Sequence, residues 1–213
     1  MPDDTVSPDD LLRRAGEASI GSTERKLLTA AAFGEAALEA PVLVGGMAVE
    51  LHTGAYRPTD IDLVGYTKPD SDAILAELGF EREGRHWLLT FADGETLAIE
   101  VPGDRLDDYA LEPPLLIDLA PGQIAVISLN DLMMDRLLQA TGGEPVTMDE
   151  AVRLATAAYE RIDWEDLSAR SDEAARAKTL AGADLPAVLA SVRGAARKQL
   201  RRRTICGVGG CRG

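Results

Sequence analysis

The sequence contains very few of the side chains on which most metal, redox and nucleophilic chemistry depends. Its 213 residues include only two cysteines and two histidines. Cys206 and Cys211 both lie in the C-terminal stretch CGVGGCRG, with no histidine or third cysteine nearby. Because that spacing does not match a zinc site, we interpret the two cysteines as incidental. With His52 and His86 as the only histidines, a histidine-based metal site or catalytic triad is disfavoured.

Long apolar runs and a targeting segment are also missing. No apolar stretch approaches the ~20 residues that a membrane-spanning helix requires. The first ten residues, MPDDTVSPDD, are acidic and lack the basic and then apolar pattern of a signal peptide. We therefore expect a cytoplasmic protein with no membrane partner.

Positive charge is scarce and unevenly placed. The chain has 22 Lys and Arg residues against 36 Asp and Glu residues, for a formal net charge of −14. Residues 193–213 contain seven Lys or Arg residues and no acid, so residues 1–192 carry a formal charge of −21. Such an acidic body is a poor nonspecific binder of nucleic acid. The basic run Arg193–Arg203 is typical of a solvated helix face, although it is also the one segment that could hold RNA by charge.

The most informative stretch is residues 42–64, VLVGGMAVELHTGAYRPTDIDLV. A short apolar run at Val42–Val44 is typical of a buried strand, Gly45 and Gly46 interrupt it, and helical spacing follows. A glycine turn before a helix leaves free backbone N–H groups at the helix start, where phosphate binds well. Paired glycines alone mark only a turn, so this interpretation depends on the residues that follow them.

A second strand is predicted at Asp60–Val64, directly after this helix. Successive side chains of a strand point to opposite faces, so Asp60 and Asp62 share one face while Ile61 and Leu63 face the core. Two carboxylates this close repel each other, and a divalent cation is the usual compensation; oxygen ligands of this kind suit Mg²⁺. The alternative is a solvated strand edge that ends in acids. Together with the glycine turn, the pair predicts a site for a nucleoside triphosphate and Mg²⁺.

Two glycines, thirteen residues and then Asp-x-Asp on a strand resemble the signature of the nucleotidyltransferase superfamily typified by DNA polymerase beta. The fuller string GGMAVELHTGAYRPTDIDL resembles the branch that contains abortive-infection and mycobacterial nucleotidyltransferase toxins. The resemblance covers residues 41–138, about half of the chain. It implies transfer of a nucleoside monophosphate from a nucleoside triphosphate to an acceptor hydroxyl.

The superfamily places a third acid on a later strand of the same sheet, and Glu100 in TLAIEV is the candidate. Alternation places Ala98 and Glu100 on one face of that strand and Leu97 and Ile99 on the other. The superfamily more often has Asp there, so Glu100 is a departure that leaves room for a shifted metal or weaker activity. The resemblance implies that Asp60, Asp62 and Glu100 hold two Mg²⁺ ions, one activating the acceptor hydroxyl and the other stabilising the leaving pyrophosphate.

Three further residues are candidates for nucleotide binding by the same resemblance. Arg57, in Arg57-Pro58-Thr59, matches an Arg-x-Thr that precedes the acidic motif in similar proteins, and either a phosphate contact or a role in holding the loop remains open. Arg136 and Asp149 lie where the toxin branch tends to carry a basic residue on one helix and an acid on the next. The family residue at the first position is more often Lys. The alternative for both is an ordinary helix-surface pair.

The remaining pattern predicts an α/β fold: a small mixed sheet of the nucleotidyltransferase type with flanking helices, followed by a helical C-terminal half. We divide the chain into an α/β domain over residues 1–128, a helical domain over 129–203 and a flexible tail over 204–213. The dipeptide Asp93-Gly94 predicts a hairpin between two strands. Residues 113–122, bracketed by Pro-Pro and Pro-Gly, are predicted to be a loop.

The acceptor is not determined by these residues. Resemblance to the toxin branch implies a tRNA 3′ end or a protein side chain as acceptor, with a cognate antitoxin as partner. A small-molecule acceptor, as in antibiotic-modifying nucleotidyltransferases, is the alternative among enzymes, and the acidic body favours it mildly. The alternative from another class is a nucleotide-binding or antitoxin-binding module without turnover, for which Glu100 in place of Asp is the only hint.

Overall fold

The protein is represented by a computed structural model, and the structure describes residues 6–54, 56–106, 108–120, 122–177 and 184–208. The chain forms two compact units. The first, here called the sheet unit, comprises Met1–Leu106 and Pro113–Ser128. The second, here called the helical unit, comprises Asp107–Glu112 and Leu129–Gly213. Cys211 and the side chain of Cys206, which we interpreted as incidental, lie outside the described residues.

Four helices belong to the sheet unit: α1 Pro8–Glu17, α2 Thr23–Ala37, α3 Gly45–Thr53 and α4 Ser71–Glu77. The first two helices begin at capping serines. The Ser7 hydroxyl accepts a hydrogen bond from the Asp10 N–H at 3.2 Å, and the Ser22 hydroxyl accepts one from the Arg25 N–H at 3.1 Å. Each cap satisfies a backbone donor that the first helical turn leaves unpaired.

The sheet has seven strands: β1 Leu38–Val44, β2 Asp60–Thr67, β3 Phe80–Glu83, β4 His86–Thr90, β5 Thr96–Gly103, β6 Leu115–Asp118 and β7 Gln123–Val126. Their order is β3-β4-β5-β2-β1-β7-β6. The pairs β2–β5 and β1–β7 are parallel and the others are antiparallel. The expected α/β class with a mixed sheet and a helical C-terminal part is therefore confirmed.

The core of the sheet unit forms between α2 and the apolar face of the central strands. Ile61 and Leu63 of β2 and Ile99 of β5 are completely buried. Phe33 of α2 packs edge-on against Phe80, with ring centroids 5.4 Å apart. Each buried aliphatic or aromatic side chain contributes roughly 1.5–3 kcal/mol, so this layer fixes the position of β2 and β5.

The boundaries differ from the sequence-based ones in two places. Helix α2 ends at Ala37 and β1 begins at Leu38, whereas the sequence predicted a strand only from Val42. The reason is that Leu38 pairs with Thr67 of β2, a long-range contact that outweighs local helix preference. Residues 115–118, predicted to be loop, form β6, which pairs with β7 alone at the sheet edge.

The hairpin between β4 and β5 is anchored by a buried arginine. Arg25 is 1% exposed, and its guanidinium lies 2.8 Å from an Asp93 carboxylate oxygen and 2.7 Å from one of Glu95. The pKa of Asp93 is held below its ordinary value, first by the hydrogen bond from Arg25 and then by the backbone N–H of Glu95. Because Asp93 lies in the turn and Glu95 follows it directly, Arg25 fixes the hairpin that leads into β5, the strand of Glu100.

The helical unit contains α5 Leu129–Ala140, α6 Pro145–Ala157, α7 Trp164–Arg176 and α8 Leu185–Val208. The backbone of residues 204–208, which the sequence predicted to be part of a flexible tail, continues α8. No helix in the described ranges is both long and apolar enough to cross a membrane.

A buried ion cluster holds the helical unit together. Arg170 of α7 lies 2.5 Å from Asp131 of α5 and 2.6 Å from Asp166. Asp131 also accepts hydrogen bonds from the backbone N–H groups of Leu111 and Glu112, at 3.1 and 2.9 Å. Burial by itself lowers the pKa of Arg170, but the hydrogen bonds from its guanidinium to Asp131 and Asp166 outweigh burial and raise it. The cluster thus joins residues 109–112 to α5 and α7.

Candidate active site

The two acids of the Asp-x-Asp motif occupy one face of β2. Asp60 and Asp62 are half-buried, while Ile61 and Leu63 between and beside them are buried. Strand β2 runs parallel to β5, and Asp62 is level with Glu100. Residues that are level on neighbouring strands project to the same side of a sheet. The fold therefore brings Asp60, Asp62 and Glu100 to one face of two adjacent strands.

Glu100 has partners that the sequence did not suggest. Its carboxylate oxygens lie 3.4 Å from Arg85 Nη1 and 3.5 Å from His86 Nε2. Its side chain is 16% exposed, while that of Arg85 is 74% exposed, so His86 supplies the more sheltered contact. Glu100 is thus held toward the β4 side of the sheet.

The three predicted metal ligands do not form a closed metal cage. Within the described ranges, no group of three or more His, Cys, Asp or Glu side chains is gathered so that it could hold a metal ion. The donor chemistry of Asp60 and Asp62 nevertheless fits Mg²⁺, because both are half-buried carboxylates on one strand face. Two of the three predicted ligands therefore suit the ion, and Glu100, held by Arg85 and His86, does not complete a three-carboxylate site in this conformation.

Gly45 lies directly against the Asp62 carboxylate. It is the first residue of α3, and its φ of +62° is in the left-handed region that favours glycine. A Cβ atom added at Gly45 would fall 1.9 Å from Asp62 Oδ2, so no side chain fits there without moving the carboxylate. Helix N-termini favour negative charge. The start of α3 therefore lies against the Asp62 carboxylate.

Gly46 makes a different close contact. A Cβ atom there would lie 2.7 Å from the Tyr56 ring and 3.1 Å from Pro58. The loop before β2 is held by Lys26, whose Nζ donates a hydrogen bond to the Pro58 carbonyl at 2.6 Å. Arg57 in this loop is exposed. The structure thus gives Lys26 the loop-holding contact that was one of the two roles considered for Arg57.

The Gly45 contact leads to a prediction with a matched control. We expect Gly45→Ala to lower both stability and activity, because the new methyl group displaces Asp62. Gly54→Ala is the control: Gly54 also has φ +62°, but nothing lies within 4 Å of an added Cβ. Both variants incur the backbone cost of a left-handed alanine, about 1–2 kcal/mol. Thermal melts measure the stability of the two variants, and transfer assays measure their activity, which should fall for Gly45→Ala alone. Equal losses of activity would mean that the contact with Asp62 is unimportant.

Arg136 and Asp149, the other two predicted nucleotide-binding residues, belong to the helical unit. Arg136 lies 3.6 Å from the Glu150 carboxylate and donates a hydrogen bond to Gln139 Oε1 at 2.7 Å. Asp149 is exposed, and its backbone carbonyl accepts a hydrogen bond from Arg153 Nε at 3.4 Å. Arg136 thus pairs with Glu150, the neighbour of Asp149, and a nucleotide role for Arg136 or Asp149 stays a prediction.

Lys26, Arg85 and His86 were missed by sequence reasoning. A signal for His86 was present, since an Asp93-Gly94 turn that pairs Thr90 with Thr96 also places His86 opposite Glu100. No such signal exists for Lys26, whose contact with Pro58 depends on the packing of α2.

The chain was compared with protein-family models, curated proteins and solved structures. No protein-family model matches the chain, and no curated protein matches it. Among solved structures, the chain is similar to an antigenic nucleotidyltransferase-like protein from Paracoccidioides brasiliensis, with 14% identity, a TM-score of 0.47, and coverage of 86% of this chain and 94% of that one. It is also similar to the antibiotic-resistance factor ANT(2'')-Ia, with 19% identity, a TM-score of 0.35, and the same coverage of 86% and 94%. Both TM-scores are below 0.5.

Proposed function

We propose that this protein is a metal-dependent nucleotidyltransferase, which transfers a nucleoside monophosphate from a nucleoside triphosphate to an acceptor hydroxyl. The observation that carries the proposal is the arrangement of Asp62, which lies level with Glu100 on β5 and against Gly45 at the start of α3. A carboxylate face beside a helix N-terminus meets the two needs of a triphosphate substrate, a site for its cation and donors for its phosphates.

In this proposal each part of the site has a separate task. The backbone N–H groups at the start of α3 would bind the phosphates, Asp60 and Asp62 would hold Mg²⁺, and Glu100 would be the third ligand once it leaves Arg85 and His86. When bound, Mg²⁺ supplies charge stabilisation at the phosphates and activates the acceptor hydroxyl. The protein forms no covalent intermediate, and most of the rate comes from positioning and electrostatic stabilisation, which agrees with the scarcity of Cys and His.

For the acceptor we propose RNA, specifically a tRNA 3′ end, with the protein acting as the toxin of a toxin–antitoxin pair. Support comes from the resemblance of residues 45–63 to the toxin branch and from the basic segment of α8. A small cationic acceptor of the antibiotic type is the second candidate, favoured by the formal charge of −21 on residues 1–192. Engagement of Glu100 by Arg85 and His86 is the one observation that favours a nucleotide-binding module without turnover.

The test is incubation with each of the four radiolabelled nucleoside triphosphates, with total tRNA or an aminoglycoside as acceptor, in Mg²⁺ or in EDTA. Label in tRNA that requires Mg²⁺ supports the proposal. Label in the aminoglycoside alone supports the second candidate instead. Nucleotide binding by calorimetry without label in any acceptor favours the inactive module.

Glu100→Gln should abolish transfer while nucleotide affinity is retained, because Asp60 and Asp62 still hold the cation of the triphosphate. Glu83→Gln, an exposed strand glutamate of the same sheet, is the matched control and should be fully active. Single-turnover transfer and nucleotide titration calorimetry measure the two quantities. Full activity of Glu100→Gln would exclude Glu100 as a ligand.

A further inference from the structure

Helix α8 carries five cations that have no acidic partner in the part of the chain that the structure describes. They are Arg193, Arg197, Lys198, Arg201 and Arg202. Elsewhere in the described ranges, arginines pair with carboxylates, among them Arg13, Arg25, Arg82, Arg85, Arg136 and Arg170. The chain has a net charge of −14, so acidic side chains are in excess, and yet none of them pairs with these five cations in the described ranges. This indicates an anionic partner from outside the chain.

The five cations form two adjacent rows along α8. Arg193, Arg197 and Arg201 are spaced four residues apart, as are Lys198 and Arg202, and residues four apart lie about 6 Å from one another along a helix. The rows span about 14 Å from first to last cation. Lys198, Arg201 and Arg202 are exposed, so their charge is available to a ligand.

The first two arginines of the rows are held on aromatic rings. The Arg193 guanidinium lies 5.2 Å from the centroid of Trp164, and that of Arg197 lies 5.8 Å from the centroid of Tyr159. Arg197 Nε also contacts the Tyr159 hydroxyl. A guanidinium stacked on a ring keeps its planar fork of donors in one orientation, which suits the oxygens of a phosphate. The aromatic rings therefore orient Arg193 and Arg197 before any ligand arrives.

The same two arginines line a pocket of about 300 Å³ between α7 and α8, together with Ser168, Leu189 and Gly194. Gly194 has no packing reason to be glycine, because nothing lies within 4 Å of an added Cβ. Glycine inside a helix is destabilising relative to alanine. A glycine without a close neighbour, between two oriented arginines, permits a ligand backbone to approach the helix.

We propose that α8 binds the phosphodiester backbone of RNA, with one phosphate held by Arg193 and Arg197 at the Gly194 pocket and the next phosphates held by Lys198, Arg201 and Arg202. Three features favour phosphate over the carboxylates of an acidic protein. They are the oriented guanidinium groups of Arg193 and Arg197, the polar side chain of Ser168 at the pocket, and the open space beside Gly194. The inference rests on the proposed transfer to RNA, since it assigns the surface that recruits that acceptor. Binding and transfer are nevertheless separate measurements.

The experiment measures binding of total tRNA to the full-length protein by fluorescence anisotropy at several salt concentrations. The test variant is Lys198→Gln/Arg201→Gln/Arg202→Gln. The control variant, Arg153→Gln/Arg161→Gln/Arg176→Gln, removes three exposed charges from other parts of the same unit and changes the net charge equally. With about 0.7 counterions released per phosphate contact, the test variant should flatten the slope of log K against log salt by about 2, whereas the control variant keeps the wild-type slope.

A further variant separates backbone approach from charge. Gly194→Ala should raise the melting temperature, because alanine favours the helix, and yet weaken tRNA binding several-fold. Tighter or unchanged binding by Gly194→Ala would exclude the pocket.

Equal loss of tRNA binding in both charge variants would overturn the assignment to α8, and polyglutamate that displaces tRNA at equal charge would overturn the assignment to phosphate. If the inference holds, Asp62→Asn should still bind tRNA even though it loses transfer. A wrong assignment of the transfer chemistry is thereby distinguished from a wrong assignment of the RNA-binding surface.

Discussion

Asp62→Asn is expected to reduce Mg²⁺-dependent transfer by about 10²–10³-fold or more, the range found when charge stabilisation of a transition state is removed. The asparagine has nearly the same shape and fills the space against Gly45, so the fold should be unaffected. It also removes one of the two like charges on β2. Transfer assays in Mg²⁺ and titration calorimetry with a nucleoside triphosphate measure the effect, and the loss should appear in both.

The matched control for this change is Asp118→Asn. Asp118 is an exposed strand aspartate of the same sheet, on the edge strand β6, where it accepts a hydrogen bond from Gln123. The control variant should keep wild-type transfer and nucleotide affinity. If Asp62→Asn binds nucleotide and Mg²⁺ as the wild type does, the site has been placed on the wrong strand.

Arg170→Met is expected to destabilise the helical unit by about 3–5 kcal/mol, the usual loss when one partner of a buried ion pair is removed. The side chain of Asp131 is completely buried, and without Arg170 its charge loses the guanidinium that lies against it. Asp166 also loses its close partner. Urea unfolding measures the change as a lower midpoint at constant slope.

The two tryptophans make this measurement specific to one unit. Trp87 lies in the sheet unit and Trp164 in the helical unit, so fluorescence in a Trp87→Phe background reports the helical unit alone. Arg176→Met, an exposed arginine of the same helix, is the control and should change stability by less than about 0.5 kcal/mol. Equal midpoints for Arg170→Met and Arg176→Met would show that the buried cluster contributes little.

Much of the sheet unit could be predicted from local pattern. Alternation along β2 placed Asp60 and Asp62 on the open face, and alternation along β5 did the same for Glu100, because one buried face forces every second residue outward. The level pairing of Asp62 with Glu100 required knowledge that β2 and β5 are neighbours. That neighbour relation came from the family resemblance, since no feature of either strand specifies its partner.

Contacts set by packing could not be predicted. Residues 115–118 form a strand only because β7 is beside them, and the flanking prolines indicate a loop at the level of sequence. The contacts of Arg85 and Lys26 depend on side-chain orientations for which periodicity provides no information. Arg170 was not singled out at all, because an arginine on an amphipathic helix is ordinarily a surface residue.

The path of the chain between the two units has a consequence for protein engineering. Residues 107–112 belong to the helical unit, and the chain then returns to form β6 and β7 before α5 begins. Neither unit is therefore a continuous piece of the gene. A shortened chain that starts at residue 129 lacks the backbone donors of Leu111 and Glu112 that Asp131 uses, and a chimera that exchanges helical parts between relatives must also exchange this six-residue segment.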